Sequence, residues 1–360
     1  MNIIETNNYI LDKLVKIQNG GGDNYIYGCG QIGHMIYKVF SDLKIKIVGF
    51  IVDDEYYTEN TIYEVPIIKY SDLVLRDAKT HIVVALRDYA QSALYKDVEL
   101  RSKVEVTYAD VESLCSFNGS YYEYGEYVKQ NYYEIEKLYN TLEDEKSKNV
   151  LEAFINQRIS GKWEYLGDEK SDVQYWERDL IRFRENFHVV DCGAFDGDSY
   201  RSFLKMIGLD FCGLYWMFEP DQKSYNTLLE KHGNDKRCEI HCIGAWNEKR
   251  KMHFSGDGSW GSSILDSGIM TIDCDALDNI IGDRHVDMIK MDIEGAEQMA
   301  IKGLKSIITR DKPILAICVY HKYEDIVKVP EIILDLYEGY RLYLRAYSSF
   351  CQEIVLYALP

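Results

Sequence analysis

The chain has 360 residues, with 59 acidic against 41 basic side chains and a formal net charge of -18 at pH 7. A chain this acidic is expected to repel nucleic acids and anionic membranes, so we expect no nucleic-acid partner and no membrane insertion. Its length is sufficient for two domains, each with its own hydrophobic core.

The N-terminus and the cysteines together predict a cytoplasmic protein. Residues Met1–Ile10 contain no basic start followed by an apolar core, so we expect no signal peptide. The nine cysteines are scattered without a CxxC pair, and several lie in apolar runs typical of strands, which indicates reduced thiols. Cys238 and Cys242 could share a metal ion, but core packing is favoured because a strand would hold them too far apart.

A glycine-rich turn follows the first predicted strand, Asp23–Tyr27. A helix pattern and a second strand, Ile45–Ile51, come next, and an acid lies about twenty residues beyond the glycines. This βαβ pattern predicts a small Rossmann-like domain over residues 1–117, extended by a helix-like segment at Ser71–Arg76 and a strand at Thr80–Leu86. Its candidate nucleotide-contacting residues are Gly28, Gly30, Gly33 and Asp53.

The form of this segment, with Val48–Asp54 followed by Val65–Ile67, resembles the N-terminal domain of bacterial sugar acyltransferases. The resemblance implies a nucleotide-sugar ligand. Three functions remain open: a nucleotide-sugar or NAD site, a docking domain for a partner or substrate, and a scaffold whose glycine loop is only a tight turn.

A helical linker is predicted over residues 118–184. Apolar residues recur there at helical spacing through Ile135, Leu138 and Leu142. The tyrosines of Tyr121–Tyr139 could stack on a sugar, but packing between the two domains is the favoured interpretation.

The segment Phe187–Ser199 is the one around which the C-terminal half is organised. An apolar run ends in Asp191, and two glycines four residues apart precede a possible helix start, which predicts a strand, a tight turn and a helix. The carboxylates of Asp191 and Asp196 argue against a bound pyrophosphate. They suit a ligand that carries hydroxyls, an ammonium or a sulfonium.

Two later strands also end in acids. Leu214–Phe218 is followed by Glu219, at the spacing that allows a carboxylate to accept hydrogen bonds from a ribose diol. Val286–Met291 delivers Asp292 to the same kind of position. Together the three strand ends predict the nucleoside pocket of S-adenosylmethionine rather than that of a dinucleotide; the alternative is an ordinary set of strand–turn–helix units with solvated acids.

The remaining segments extend this sheet. The strand Cys238–Ile243 leads to a turn predicted to flank adenine, with Trp246 as a stacking face or a packing residue. The glycine- and serine-rich segment 255–263 suits either a mobile loop over a site or a plain solvent loop. Two final strand patterns, Tyr340–Tyr347 and Gln352–Leu359, predict a closing hairpin, which is characteristic of methyltransferase sheets.

Three motifs resemble the FkbM-type S-adenosylmethionine-dependent methyltransferases: Asp191–Ala194 with Asp196 and Gly197, Phe218–Pro220, and Lys290–Glu297. The resemblance runs from about residue 174 to residue 360 and implies methylation of sugar oxygens or of related natural products. In that family a Gln-Tyr-aromatic segment leads into the cofactor pocket, which makes Tyr175 a candidate wall. Asp196 stands where many members carry Asn.

These motifs define the predicted site. His321 follows a strand at Lys312–Val319 and is the leading general base, since its ordinary pKa lies near working pH. Asp292 and Glu294 are predicted to orient the acceptor, to assist His321 or to hold a divalent cation such as Mg²⁺ with water. The candidate cofactor-binding residues are Tyr175, Asp191, Gly193, Ala194, Asp196, Gly197, Ser199, Glu219, Pro220, Ala245, Trp246 and Asp292.

The predicted fold class is α/β: a class I methyltransferase Rossmann-like sheet over residues 185–360 with a closing antiparallel hairpin, preceded by the smaller Rossmann-like domain and the helical linker. The predicted function is transfer of a methyl group from S-adenosylmethionine to a hydroxyl, or in a close variant an amine, of a small-molecule or glycan acceptor, either nucleotide-linked or protein-linked. The alternatives are a nucleotide-sugar-binding or docking protein with an inactive methyltransferase fold, and an NAD-dependent sugar oxidoreductase.

Overall fold

The computed structural model of the chain describes residues 1–58, 61–73, 79–86, 91–108, 110–115, 123–208, 211–255, 263–264 and 270–360. These residues form two α/β units joined by helices. One unit contains a six-stranded sheet, and the other contains a seven-stranded sheet and a small four-stranded sheet. No helix in the described segments combines the length and the apolar character needed to span a membrane.

The N-terminal unit begins with α1 (Tyr9–Asn19), β1 (Asp23–Tyr27), α2 (Gln31–Asp42), β2 (Gly49–Val52), β3 (Thr61–Ile62), β4 (Val65–Lys69), β5 (Thr80–Val84), α3 (Ala93–Lys96), α4 (Val98–Lys103) and β6 (Glu105–Tyr108). The sheet has the order β3-β4-β2-β1-β5-β6 and is parallel except for β3. The predicted βαβ unit is therefore present, although β2 begins at Gly49 rather than at Ile45. Of the helix predicted at Ser71–Arg76, the described part is a short 3₁₀ turn, Tyr70–Asp72, and the rest lies outside the described residues.

Four helices follow: α5 (Tyr124–Gln130), α6 (Tyr132–Thr141), α7 (Glu145–Ser160) and α8 (Glu164–Gly167). Helix α7 starts where the Asp144 side chain accepts a hydrogen bond from the Ser147 amide, and it ends at Gly161 in the left-handed conformation. Most of its residues are buried, polar ones among them, because it packs between the C-terminal sheet and the turn at Val111–Ser113. Helix α7 thus links the two units.

The tyrosine-rich segment belongs to these helices, and its described residues divide into two groups. Tyr124 and Tyr127 are buried in the same hydrophobic core as the C-terminal sheet, whereas Tyr132 and Tyr133 are exposed. Burial of the first pair agrees with the packing interpretation. Tyr121 lies outside the described residues.

The C-terminal unit contains, in chain order, β7 (Val189–Cys192), α9 (Asp198–Ile207), β8 (Tyr215–Phe218), α10 (Gln222–His232), β9 (Cys238–His241), β10 (Gly244–Ala245), β11 (Arg250–Ser255), β12 (Ser263–Ile264), β13 (Met270–Asp275), α11 (Leu277–Ile281), β14 (Met288–Met291), α12 (Glu297–Lys302), α13 (Lys305–Asp311), β15 (Ile314–Cys318), α14 (Asp325–Leu336), β16 (Arg341–Ala346) and β17 (Ile354–Leu359).

The large sheet has the order β16-β17-β15-β14-β7-β8-β9, with β17 antiparallel to both of its neighbours and the remaining pairs parallel. This order confirms the predicted class I methyltransferase sheet and its closing hairpin. Strands β7, β8 and β14 are buried throughout, as expected for parallel strands covered by helices on both faces. Their carboxyl ends meet at one edge of the sheet, which brings their terminal acids together. The domain boundaries at residues 117 and 184 remain predictions.

Candidate active site

A cleft opens beyond the carboxyl ends of β7, β8 and β14. It is lined by Gln174, Tyr175, Gly193, Phe195, Asp198, Ser199, Phe218, Glu219, Pro220, Asp221, Ser224, Gly244, Ala245, Lys290, Asp292, Ile293, Glu294, Ala296 and Glu353.

The turn between β7 and α9 forms one wall of the cleft. Gly193 has a φ of 79°, and a Cβ atom built on it would lie 1.9 Å from the backbone oxygen of Asp292. A side chain at this position would therefore clash with the neighbouring β14 turn, so glycine lets the two strand ends approach each other.

Asp191 supports this turn from beneath. Its fully buried carboxylate lies 2.9 Å from the Lys290 ammonium and accepts a hydrogen bond of 3.0 Å from the Tyr215 hydroxyl. Lys290 also donates to the backbone oxygen of Gly193, at 2.8 Å. Burial alone would lower the pKa of Lys290, but the nearby Asp191 and Asp292 raise it. The pair is thus a buried ion pair that ties β7 to β14.

Glu219 follows β8 and lines the cleft with a carboxylate held by the backbone. One oxygen accepts from the Phe195 amide and the other from the Asp221 amide, both at 2.9 Å. Burial raises the pKa of Glu219 to about 7, against the lowering effect of these two amides. The remaining lone pairs can accept hydrogen bonds from a pair of hydroxyls.

The predicted cofactor-binding residues divide into two groups. Those that line the cleft are Tyr175, Gly193, Ser199, Glu219, Pro220, Ala245 and Asp292. Those outside its lining are Asp191, Ala194, Asp196, Gly197 and Trp246.

In the second group, Asp191 belongs to the buried ion pair with Lys290, and local structure accounts for the positions of the other four residues. The Asp196 carboxylate forms ion pairs with Arg201 at 2.9 Å and with Lys231 at 2.6 Å. Trp246 packs on the small four-stranded sheet rather than against the cleft. Gly197 is the N-cap of α9, and Ala194 is fully buried.

The predicted catalytic residues do come together. The Nε2 atom of His321 lies 3.3 Å from Asp292 Oδ1 and 3.5 Å from Glu294 Oε2. Its Nδ1 atom lies 2.9 Å from an oxygen of Glu297, a fully buried carboxylate. Asp292 also accepts a hydrogen bond of 2.8 Å from the Tyr175 hydroxyl.

This arrangement argues against His321 as the general base. Burial alone would lower the pKa of His321, but the charge of Glu297 and the hydrogen bond with Asp292 raise it well above its ordinary value. At neutral pH the ring is therefore an imidazolium, which has no lone pair to take up a proton. His321 instead holds two carboxylates in place, and it does not line the cleft.

The same side chains do not fit a magnesium site. Ligand atoms of Asp292, Glu297 and His321 lie within 4.8 Å of one another. However, both ring nitrogens face carboxylates, and Glu297 also accepts a hydrogen bond of 3.0 Å from the Ile293 amide. Mg²⁺ requires oxygen ligands in near-octahedral geometry. With both of its nitrogens facing carboxylates, the His321 ring has no lone pair directed at a metal ion.

Gln174 and Glu353 both line the cleft; sequence patterns indicated the first only as part of the Gln-Tyr-aromatic segment and did not single out the second. Glu353 lies in the turn between β16 and β17, and the Gln174 side-chain amide donates to its carboxylate. No motif marks Glu353; the only signal in the sequence is an acid directly before a strand of the closing hairpin.

Backbone strain is concentrated around this cleft. Eight described non-glycine residues have a positive φ, and four of them line the cleft: Tyr175, Phe195, Glu294 and Glu353. Such conformations cost about 1–3 kcal/mol each and cluster at functional sites. This clustering of strained residues independently supports the location of the site.

The predicted nucleotide site of the N-terminal unit is explained in part by packing. A Cβ atom at Gly28 would lie 2.8 Å from the Ala85 oxygen, and one at Gly33 would lie 2.2 Å from the Gly28 oxygen. Asp53 accepts hydrogen bonds from the Tyr27 hydroxyl and from the Ala93 amide. Gly30 alone of the three glycines faces open space. Ligand binding here remains a prediction, and most of the predicted loop 255–263 lies outside the described residues.

Comparisons with known proteins agree with this geometry. Residues 191–347 match the family model described as the methyltransferase FkbM domain. Among solved structures, an FkbM methyltransferase from Methylobacillus flagellatus KT is similar in fold, with a TM-score of 0.78 and 22% identity over 98% of this chain and 94% of that one. None of the curated proteins compared with the chain matches it.

Two further similarities to solved structures are weak. Aeropyrum pernix fibrillarin, solved with natively bound S-adenosyl-L-methionine, gives a TM-score of 0.33 at 12% identity, over 51% of this chain and 71% of that one. A precorrin-6y C5,15-methyltransferase from Geobacter metallireducens GS-15 gives 0.32 at 10%, over 54% and 95%.

The similarity to the Methylobacillus protein concerns the fold alone, and it extends over the N-terminal unit. These comparisons do not support the resemblance of that unit to sugar acyltransferases, which stays a prediction. The family match implies S-adenosylmethionine as the methyl donor. The chain is a methyltransferase, and the family model of the FkbM methyltransferase domain matches its residues 191–347.

Proposed function

We propose that this methyltransferase methylates a hydroxyl of a neutral sugar or of a glycan-linked acceptor, with an amine on such an acceptor as the close variant. The observation that carries the proposal is the polarity of the cleft. Six of its lining residues are acidic, and within the described part of the chain Lys290 is the one basic residue among them. Its charge is already paired with Asp191.

The acidic lining bears directly on the class of acceptor. Carboxylates and amides such as Glu294, Glu353 and Gln174 form hydrogen bonds with hydroxyls and ammonium groups. They would repel a phosphate or carboxylate placed beside the reacting atom, since like charges disfavour each other at short range. A nucleotide-linked or protein-linked acceptor would thus have to keep its anionic groups outside the cleft.

The cleft also fits the nucleoside of the methyl donor. Glu219 presents a carboxylate fixed by two backbone amides, and the Gly193 turn packs closely against the Asp292 backbone at the end of β14. These residues, with Ala245 at the opposite wall, would hold the donor. When bound, S-adenosylmethionine supplies a methyl group on a sulfonium, which is an activated leaving group.

The protein's own contribution is then mainly positioning. Tyr175 and His321 fix the Asp292 carboxylate, and two backbone amides fix that of Glu219. Correct placement of two reactants contributes about 7–11 kcal/mol, whereas a general base contributes roughly 10²–10⁴-fold in rate. We therefore expect that removal of a general base would slow the reaction severely without abolishing it.

Calorimetric titration with S-adenosylhomocysteine tests the donor site. We expect Glu219→Gln to weaken binding by about 10- to 100-fold, because a hydrogen bond to a charged group contributes about 1.5–3 kcal/mol. Glu230→Gln makes the same change at an exposed position of α10 and serves as the control. Absence of binding to the unmodified protein would overturn the proposed function.

A transfer assay with a methyl-labelled donor tests the acceptor class. Neutral sugars, amino sugars, sugar phosphates and nucleotide-linked sugars are supplied separately, and the products are identified by mass spectrometry with fragmentation. We expect the label on a hydroxyl or amine of the neutral or amino sugars. Labelling of the phosphorylated sugars alone would contradict the proposal.

A further inference from the structure

The turn that carries Glu353 brings a third carboxylate to the end of the cleft where Asp292 and Glu294 lie. Glu353 precedes β17 and has a φ of 60°, and its backbone oxygen accepts a hydrogen bond of 3.0 Å from the Tyr347 amide. Its side chain lines the cleft together with Asp292 and Glu294. This left-handed backbone is costly for glutamate, so surrounding contacts must hold the residue in place.

The carboxylates at this end differ in what already binds them. Both oxygens of Asp292 have donors, with the Tyr175 hydroxyl on one and His321 at 3.3 Å from the other. Glu294 lies 3.5 Å from the His321 imidazolium. Glu353 has a neutral partner, the Gln174 amide, on one of its oxygens. A carboxylate bound by a cation holds a proton poorly, whereas one with a neutral partner can take a proton up.

We propose that Glu353 is the catalytic residue that receives the proton of the acceptor hydroxyl, an inference that rests on the proposed function. In this step the hydroxyl oxygen forms a bond to the methyl carbon. The sulfur–methyl bond breaks, and its electron pair remains on sulfur. The hydroxyl proton passes to a carboxylate oxygen of Glu353, and it leaves to solvent after the product departs.

The groups around Glu353 support this role. Burial raises its pKa to about 7, with a further rise from Asp292 on the β14 side, while the Gln174 hydrogen bond and the charges of His321 and Lys290 lower it. Tyr175 and Tyr320 also face this region. A base whose pKa lies near the working pH combines a useful ionised fraction with useful proton affinity. The pKa of Asp292, by contrast, is lowered from its ordinary value by His321 in spite of burial.

Glu353→Gln is the first test, because it keeps the shape of the side chain and removes the base. We expect the rate of methyl transfer to fall by about 10²–10⁴-fold. The affinity for S-adenosylhomocysteine should stay within about threefold, since a factor of three is less than 1 kcal/mol. Glu338→Gln, at an exposed turn before β16, is the matched control and should keep the full rate.

The pH profile separates a base from a structural residue. Plotted against pH, the rate of the unmodified enzyme should rise as Glu353 ionises around pH 7. This rising limb of the profile should be absent in Glu353→Gln. Glu353→Asp keeps a carboxylate with a shorter reach, and we expect it to restore part of the rate together with the limb. A Gln variant with the full rate, or with an unchanged limb, would overturn the proposal.

A binding experiment gives a readout that does not depend on turnover. A sulfonium close to Glu353 would favour its ionised form, so S-adenosylmethionine should release more protons on binding at pH 7 than neutral S-adenosylhomocysteine does. Calorimetry in two buffers of different ionisation enthalpy measures this difference. We expect it in the unmodified protein and in Glu338→Gln, but not in Glu353→Gln.

These outcomes separate the two proposals. If the unmodified protein binds no S-adenosylhomocysteine, the proposed function fails. If it binds and transfers methyl groups but Glu353→Gln does the same at the same rate, only the assignment of Glu353 fails. Retained binding of S-adenosylhomocysteine by Glu353→Gln shows that the variant is folded, so a lost rate then supports the assignment.

Discussion

Among single residues, the buried pair of Asp191 and Lys290 carries the largest expected effect on stability. The two charges lie 2.9 Å apart, at 0% and 3% side-chain exposure. Removal of one partner leaves an unpaired charge without water, which is far more costly than removal of both. Asp191 therefore contributes to the site by holding the β7 turn through Lys290.

We predict that Lys290→Met lowers the free energy of unfolding by about 3–5 kcal/mol. The double variant Asp191→Asn with Lys290→Met should lose less than the sum of the two single variants, since neither charge is then left alone. Urea denaturation of all four proteins measures the coupling. Simple additivity would contradict the ion pair.

His321 and Glu297 give a second prediction at this scale. Glu297 is the main group that raises the pKa of His321, so Glu297→Gln should bring that pKa down towards its ordinary value of 6.5. A histidine with a raised pKa contributes stability that is fully present below pH 6.5 and is lost as the pH rises through its folded-state pKa. In the variant this contribution should be smaller, and its loss should be complete at a lower pH.

Nitrogen NMR of the His321 ring, followed over a pH titration, checks this expectation. Glu331→Gln, on a more exposed face of α14, is a suitable control because its carboxylate pairs with Lys328 rather than with His321. An unchanged His321 titration in Glu297→Gln would contradict the arrangement of charges.

The sequence predicted part of this chemistry. Glu219 and Asp292 could be placed because each directly follows an apolar run that reads as a strand, and parallel strands bring such ends together. The charge state of His321 could not be predicted, because it depends on Glu297, the first residue of α12. Glu353 was missed because its approach to the cleft depends on how the hairpin folds back, which no local pattern encodes.

At the scale of elements, the turn between β7 and α9 determines whether the cleft exists. Gly193 combines a positive φ with close contact to the neighbouring turn, whereas Gly208 has a φ of 97° and would have no heavy atom within 4 Å of a Cβ atom added to it. Alanine substitutions at the two glycines therefore distinguish the energetic cost of backbone strain from that of a steric clash.

We predict that Gly193→Ala is more destabilising than Gly208→Ala. Both variants place an alanine at a positive φ, at a cost of about 1–3 kcal/mol, but only the first forces β7 and β14 apart. Thermal denaturation measures the difference, and calorimetry should show weaker S-adenosylhomocysteine binding for Gly193→Ala alone. Equal losses in the two variants would contradict the close approach of the turns.

The elements of the C-terminal sheet were predicted more fully than those of the N-terminal unit. Buried parallel strands such as β14 are short, continuous apolar runs with an acid at the end, and the closing hairpin has two clear strand patterns. In the N-terminal unit the second strand was placed four residues too early. Ile45 and Ile47 are buried although they lie before β2, so an apolar run extended beyond the strand itself.

For the whole molecule, the important feature is how the Glu353 turn is held by the N-terminal unit. The Phe350 ring stacks on Tyr108 at 5.2 Å between centroids, and the Cys351 amide donates to Asp110 at 3.1 Å. Gln157 of α7 donates to Asp110 and to the Ser349 oxygen, both at 2.8 Å. The first unit and the linker thus fix the turn that reaches into the cleft.

We predict that Gln157→Leu lowers both stability and the rate of transfer. The change leaves the Ser349 oxygen and the Leu166 amide without their partner, at a cost of about 1–3 kcal/mol for each buried group. S-adenosylhomocysteine affinity should be retained, because Glu219 and the β7 turn are untouched. Gln130→Leu, at the exposed end of α5, should change neither quantity. Loss of stability without any loss of rate would argue against a link between the turn and the reaction.

This connection could not be predicted from the sequence. The pattern indicated a linker helix, but every residue of α7 from Ala153 to Ser160 is buried, so the polar residues there bond within the protein instead of facing water. The contacts join positions more than 150 residues apart, such as Gln157 and Ser349.

The stacked and hydrogen-bonded junction at Tyr108 and Asp110 also limits how the protein can be engineered. The C-terminal half does not hold its cleft in shape alone, because residues of the N-terminal unit support the turn that carries Glu353. A chimera that joins the C-terminal half to a different N-terminal domain would have to keep Tyr108 and Asp110, or replace them with residues that contact Phe350 and Cys351.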